Sequence, residues 1–418
     1  MIADLHIHSR FSRGCSKDIT LAKLEQWAKK KGVDLLGTGD FTHPDWVQEL
    51  KRNLVEEQGI YYTQKGFPFV CQTEISLIYT QNKKSRKVHH VVLAPSLDVV
   101  GQITDFLKKH GRVDYDGRPI FGMSSPDFVY ELKQINKDIE VFPAHIWTPY
   151  FGALGSKSGF DSLQECFGDQ MKHIHAYETG LSSNPAMNWR LSSLDGLTQI
   201  SNSDTHSYWP WRLGREANML ELSALTYKNI LNAIRTKEGF KGTIEVDPQY
   251  GKYHADGHAK CNLVSMPHQT KQLRGICPAC KKPLTIGVQS RVEELADREE
   301  GYRPEAPTPY KSLLPLSEVL GNVLGTGIQT KQVWNMYEQL TKQRSEYDVL
   351  LKMNYEEIAA VHPRIADALL RNRYGQIRIS PGFDGNYGIP DLHAKAYQER
   401  LMMTPQMKHI QTSLDTFG

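Results

Sequence analysis

One pattern constrains the fold of this chain more than any other, and it recurs at seven places in residues 1–245. A short apolar run leads into a histidine, an aspartate or a glutamate. The first run carries Asp4, His6 and His8 at alternate positions. On a strand, alternate side chains share a face, so these three project together while Leu5 and Ile7 take the other side. The run 33–38 leads through Gly39 to Asp40, 69–73 leads to Glu74, and 141–144 leads to His145. The run 174–177 delivers Glu178, and 200–203 delivers Asp204 and His206. His90, in the run that opens at Val88, completes the set, whereas His89, His173 and His175 read as ordinary polar positions. A single His-x-His is weak evidence, because surface alternation produces it. Seven successive polar strand ends are not explained by packing, and parallel barrels build active sites from the ends of several strands.

Helical patterns separate these runs. Leu21, Leu24 and Ala28 line one helix face and Gly32 ends it. Ser125-Pro126 and Asn184-Pro185 each place a capping side chain before a proline. The fold class expected is therefore α/β, with a barrel-like or open parallel sheet over residues 1–245. Periodicity weakens over 246–294, where Gly, His, Lys and Cys dominate and a small zinc-binding module is expected. A charged, proline-rich linker is expected over 295–312. A mainly helical C-terminal domain is expected over 313–405, with helices near 314–324, 333–343 and 355–371, and then a flexible tail over 406–418. Hydrophobic residues are 39% and charged residues 23%, which excludes wholesale disorder. No apolar run reaches the ~18 residues of a membrane span. The opening MIADLHIHS has neither the basic nor the apolar region of a signal peptide, so a cytoplasmic protein is expected.

His6, His8, Asp40, Glu74, His90, His145, Glu178, Asp204 and His206 exceed what one ion can use, so two or three divalent metals are expected. Mixed imidazole and carboxylate donors suit Zn, Mn or Fe better than Mg alone. Clustered metals serve phosphoester hydrolysis, with Glu74, Asp204 and His206 as the expected catalytic side chains. A second donor set is more compact. His258-x2-Cys261, followed by Cys277-x2-Cys280, has the spacing of a closed structural zinc site, with His254 as the alternative fourth ligand. Between residues 246 and 290 there are six basic side chains (Lys252, Lys260, Lys271, Arg274, Lys281, Lys282) against Asp247 and Asp256, a balance that suits phosphate contact. The net charge of +3 is too mild to identify such a partner by itself. Lys83-Lys84-Ser85-Arg86-Lys87 is expected as a basic loop between two strands.

The motifs ADLHIHS, GTGDFTHP, QTEIS, HHVVLAP, PAHIW, YETGLSSNP and SNSDTH resemble those of the polymerase and histidinol phosphatase (PHP) superfamily. That resemblance implies a distorted (β/α)7 PHP-type barrel, a trinuclear site and phosphoesterase chemistry. Two departures stand out. Many members carry a histidine directly after the aspartate of the second motif, where this chain has Phe41, with His43 two further on. Many carry another histidine after His-x-His, where this chain has Ser12, Arg13 and Gly14. The third metal is thereby put in doubt or left to His43.

With YHADGHAKC, GICPACKKPLTIGVQSRVEELADR and PGFDGNYG added, the whole arrangement resembles the endonuclease Q family. The resemblance implies hydrolysis, by metal-activated hydroxide, of the phosphodiester 5′ of a deaminated base (hypoxanthine, uracil, xanthine) or an abasic site. Its partner would be single- or double-stranded DNA. A phosphatase of small phosphomonoesters accounts for the barrel equally well, but not for the zinc module or the helical domain. Gln411, Leu414 and Phe417 form a Q-x-x-L-x-x-F pattern similar to peptides that dock on sliding clamps.

Overall fold

A computed structural model describes residues 1–392. Seven strands form a ring. They are β1 (Ile2–Asp4), β2 (Leu35–Gly37), β3 (Pro68–Gln81), β4 (Lys84–Ala94), β5 (Glu140–Pro143), β6 (Ala176–Glu178) and β7 (Thr198–Ile200). β1, β2 and β3 pair in parallel, as do β6 and β7. The Ile146 amide donates to the Glu178 carbonyl at 3.0 Å and links the end of β5 to β6. A parallel bridge between Ile7 and Thr205 closes the ring beyond the ends of β7 and β1. The barrel is therefore distorted and stitched in places by single bonds.

The expected all-parallel pattern fails at β3 and β4. They form one long antiparallel hairpin, registered from Cys71↔Ala94 to Gln81↔Lys84, and β4 continues antiparallel to β5. Asn82 and Lys83 both take positive φ at the tip, the conformation of a two-residue hairpin turn. The expected basic loop is thus this tight turn and the first residues of β4.

An apolar cluster takes Ala3, Leu35, Val70, Val91, Phe142, Ala176 and Ile200, one residue from each strand of the ring. A cluster that draws on every strand fills the barrel interior. Ile230, Leu231 and Ile234 of the Tyr227–Thr236 helix join the same cluster. On β3, Val70, Gln72 and Glu74 share the interior face by alternation, so the strand passes from apolar core to polar site within five residues.

The Leu21–Lys31 helix ends at Gly32, whose φ of 94° is the left-handed cap expected of glycine. Asn184 caps its helix as expected, but at Ser125-Pro126 the cap is Ser124. Part of the expected linker is structured, because Tyr310–Ser312 pairs in parallel with the Phe240–Glu245 strand of the main sheet. The C-terminal helices run Leu316–Leu324, Lys331–Leu340, Tyr355–Ala359 and Pro363–Arg373. Pro363 splits the single helix expected over 355–371 by starting a new one. A further helix, Glu346–Leu351, was not foreseen. No helix among the described residues is long and apolar enough to cross a membrane.

Candidate metal centre

Two groups of possible ligands meet at the strand ends and share one residue. His6, His8, Glu74 and Asp204 each bring a donor atom within 4.8 Å of the others, and so do Glu74, His89 and His145. Glu74 Oε2 lies 3.2 Å from His8 Nε2 and 3.7 Å from His6 Nε2. Its other oxygen lies 2.7 Å from His89 Nδ1 and 3.2 Å from His145 Nε2. Asp204 Oδ1 sits 3.0 Å from His8 Nε2. Glu74 is thus common to the two groups of possible ligands. His6 Nε2 is fully buried and has no hydrogen-bond partner. A buried nitrogen left bare between two carboxylates is costly unless something fills the gap. The donor set and this bare nitrogen fit divalent cations.

The ring side chains are held from behind. Glu178 sits on His6 Nδ1 at 3.0 Å, and it also accepts from the His145 amide at 2.8 Å and from Asn202 Nδ2 at 2.9 Å. Asp40 sits on His8 Nδ1 at 2.9 Å and accepts from the Ser9 amide and hydroxyl, both at 2.6 Å, and from Ser12 Oγ at 3.0 Å. Carboxylates on Nδ1 fix each ring and leave Nε2 for the site. Asp40 and Glu178, expected as ligands, therefore have their oxygens committed to orienting the histidines. Asp4, expected on the same face, clamps backbone instead, accepting from the Ser203 and Gly214 amides at 3.0 Å.

Asp40, His145 and Asp204 all have positive φ, of 42°, 29° and 46°. Each such residue costs of order 1–3 kcal/mol. Three in one site, each at a strand end, mark a place where geometry outranks local comfort.

Electrostatics follow from burial and company. Burial lowers the affinity of His6 for a proton, but the charges of Glu178 and Glu74 outweigh it and hold His6 well above its ordinary value. Burial would raise Glu74, yet His89, Arg118 and His6 hold it well below the usual carboxylate range.

The β4 histidines are the reverse of the expectation. His89, set aside from the sequence, reaches Glu74 and His145. His90, expected as a ligand, points to the other side of the strand, where its Nε2 meets Ser125 Oγ at 2.9 Å and its ring stands 5.1 Å from Phe167. Burial lowers its imidazole to about 3, so the ring is neutral. A one-residue shift on a strand exchanges faces. His206 stands near the centre, 4.5 Å from the His8 ring, with Nδ1 donating to the Asp204 carbonyl at 3.0 Å. It belongs to neither donor group. His43 does not join them either; it stacks on Phe11 at 4.1 Å. Arg118 was missed. Its NH1 lies 3.0 Å from Glu74 Oε2, with 24% of the side chain exposed. It follows no strand-end pattern, so nothing in the sequence pointed to it.

The second cluster assembles as expected. His258, Cys261, Cys277 and Cys280 bring their donor atoms within 4.8 Å of one another. All described cysteines are free thiols. Three thiols and one imidazole with no open position fit a structural zinc. His254 stays outside the group, its buried Nδ1 without a partner. The PGFDGNYG turn fastens this module: Asp384 accepts from the Ala259 amide and from Thr285 Oγ1, both at 2.7 Å. Arg291 ties it to the barrel through the Leu154 and Phe160 carbonyls, both at 3.0 Å. Gln411, Leu414 and Phe417 lie outside the described residues.

Residues 315–376 match a family model described as the MJ0043 C-terminal domain. MJ0043 of Methanocaldococcus jannaschii, itself uncharacterised, is 33% identical over 288 residues, which are 66% of this chain and 34% of that protein. The chain thus spans about a third of the length of that relative. The lesion-specific endonuclease PfuEndoQ of Pyrococcus furiosus shares 30% identity at a TM-score of 0.85, over 96% of this chain and 99% of that one. An endonuclease Q in complex with a 27-mer duplex, with an abasic lesion at its active site, matches with the same score and identity over 96% of this chain and 100% of that one.

Proposed function

This chain belongs to the endonuclease Q family, and from that membership we propose that it is a metal-dependent DNA-repair endonuclease. Its reaction is hydrolysis of the phosphodiester on the 5′ side of a damaged nucleotide, either a deaminated base or an abasic site. The observation that carries the reading is Glu74, the one carboxylate common to both donor groups of the barrel. His6, His8, Glu74, His89, His145 and Asp204 would hold divalent cations, which would supply Lewis acidity toward water and phosphate.

The residues do the rest. Glu74 sets the spacing of the two donor groups. Glu178 and Asp40 keep the Nε2 atoms of His6 and His8 turned inward. Asp204 and His206, with side chains 31% and 32% exposed, face the opening where a phosphate arrives. Arg118 beside Glu74 offers a guanidinium to a phosphate oxygen. A damaged base pairs poorly and costs less to unstack, which brings its phosphate into reach selectively. In this reading residues 1–245 form the catalytic barrel, 246–294 a basic zinc module against the DNA backbone, and the helical C-terminal domain follows.

The test uses 5′-labelled duplexes carrying one hypoxanthine, uracil or abasic site, or no lesion, with Mg²⁺ or Mn²⁺. The expected result is a nick 5′ of the lesion only, lost in Asp204→Ala. Intact DNA under every metal condition, with p-nitrophenyl phosphate hydrolysed in parallel, overturns the reading in favour of a phosphatase.

A further inference from the structure

Fully buried contacts bolt the helical C-terminal domain to the barrel. Lys31, the last residue of the Leu21–Lys31 helix, is 1% exposed, and its Nζ lies 2.7 Å from Glu346 Oε1. The same ammonium donates to the Pro210 carbonyl at 2.8 Å. Glu346 is itself fully buried and gathers its own domain. It accepts from the Leu316 amide and from the Tyr337 hydroxyl, both at 2.9 Å. The neighbouring Tyr347 donates its hydroxyl to the Gly214 carbonyl. The approach is close: a Cβ on Gly32 would stand 2.6 Å from Ser345 Oγ.

Pro210 and Gly214 belong to the segment that leaves the barrel site. It starts at Asp204 and His206. Its ends are drawn together, because Asp4 accepts from the Ser203 and Gly214 amides and Arg215 donates Nε and NH2 to the Ser203 carbonyl at 3.2 and 3.1 Å. Its middle lies against the domain, where Trp209 and Trp211 face Trp334 at 5.5 and 5.6 Å. Asp204 has a φ of 46°, which a free loop would relax.

We propose that the Glu346–Leu351 helix is a positioning element of the barrel site: through Glu346 and Tyr347 it braces the 204–214 segment and keeps Asp204 in reach of Glu74. The consequence for catalysis rests on the nuclease reading; the consequence for metal binding does not. This gives the helical domain a task beyond covering apolar surface.

The test uses the full chain and three variants. Tyr347→Phe removes the bond to Gly214, Glu346→Gln removes the charge facing Lys31, and Asn372→Ala is the control. Asn372 bonds both the amide and the carbonyl of Leu314, at 2.8 and 2.9 Å, so its loss loosens the domain without touching 204–214. Mn²⁺ affinity is read by electron paramagnetic resonance without DNA, and kcat and KM are read on an abasic duplex. Tyr347→Phe and Glu346→Gln are expected to weaken Mn²⁺ binding and lower kcat by about tenfold, with KM unchanged, since small misplacements cost this much or more. Asn372→Ala is expected to lower Tm and leave both readouts alone. Wild-type Mn²⁺ affinity in Tyr347→Phe, or equal losses in Asn372→Ala at matched Tm, overturns the proposal. If the wild-type chain nicks no lesion, the nuclease reading fails, and the Mn²⁺ measurement still decides the positioning role.

Discussion

The zinc-type cluster and the barrel centre are both built from histidines and acidic or thiol side chains, yet they are assembled in opposite ways. His258, Cys261, Cys277 and Cys280 lie within residues 258–280, whereas the barrel donors run from His6 to Asp204. The first needs only a short loop to close, which costs little entropy. The second exists only after the strands of the ring have found their neighbours. The difference teaches where each site gets its shape. Within 254–290 the buried apolar side chains are Ala255, Cys277, Leu284 and Val288, so a metal bound by the His/Cys cluster would hold that module's fold. In the barrel the protein holds the donors: Glu178 and Asp40 fix His6 and His8, and the packed ring sustains positive φ at Asp40, His145 and Asp204.

The strongest test of that contrast is chelation. Stripping all metal is expected to abolish amide protection over 254–290 while β3 and β4 stay protected, as hydrogen exchange would show. Unfolding of the barrel together with the module would erase the distinction. The next effect separates the two histidines of β4. His89→Ala is expected to weaken barrel Mn²⁺ binding by more than the roughly 10–100-fold that loss of an orienting partner costs. His90→Ala is expected to spare metal binding and cost about 1–3 kcal/mol of stability, since it empties the space beside Phe128 and Phe167 and removes one partner of buried Ser125, which keeps Tyr79. The reverse result would mean that β4 presents the opposite face. The smallest effect tests orientation from behind. Glu178→Gln is expected to weaken Mn²⁺ binding by roughly 10–100-fold without unfolding the chain, measured by calorimetry against Tm. An unchanged affinity would show that His6 needs no fixing.

Much of the site was legible because strand ends carry chemistry in a repeating form. Glu74, His6, His8, His145 and Asp204 were found that way, and the structure brings them together. The failures have one kind of cause. His90 was preferred to His89 because alternation says that neighbours face opposite ways but not which one faces in. Asp40 and Glu178 carry the same strand-end signal as the grouped donors, and sequence cannot tell a carboxylate within a donor group from one that bonds the histidines behind it. Arg118 lies in a loop between elements, where no periodicity applies. The Glu346–Leu351 helix is too short for its pattern to stand out, and its meaning depends on Lys31, far away in sequence.

By itself the sequence determined the residues whose information is local. These are the spacing of the His/Cys cluster, the helix stop at Gly32, the pairing of His6 with His8, and the succession of polar strand ends that requires a shared mouth. The tertiary structure decided everything that depends on which strand lies beside which. That includes the antiparallel hairpin of β3 and β4, the inward face of β4, the sharing of Glu74 by two donor groups, and the brace from the helical domain. The reason is physical: spacing along a chain fixes what a few neighbouring side chains can share, while the distance between remote ones is set only by the pairing and packing of the whole barrel.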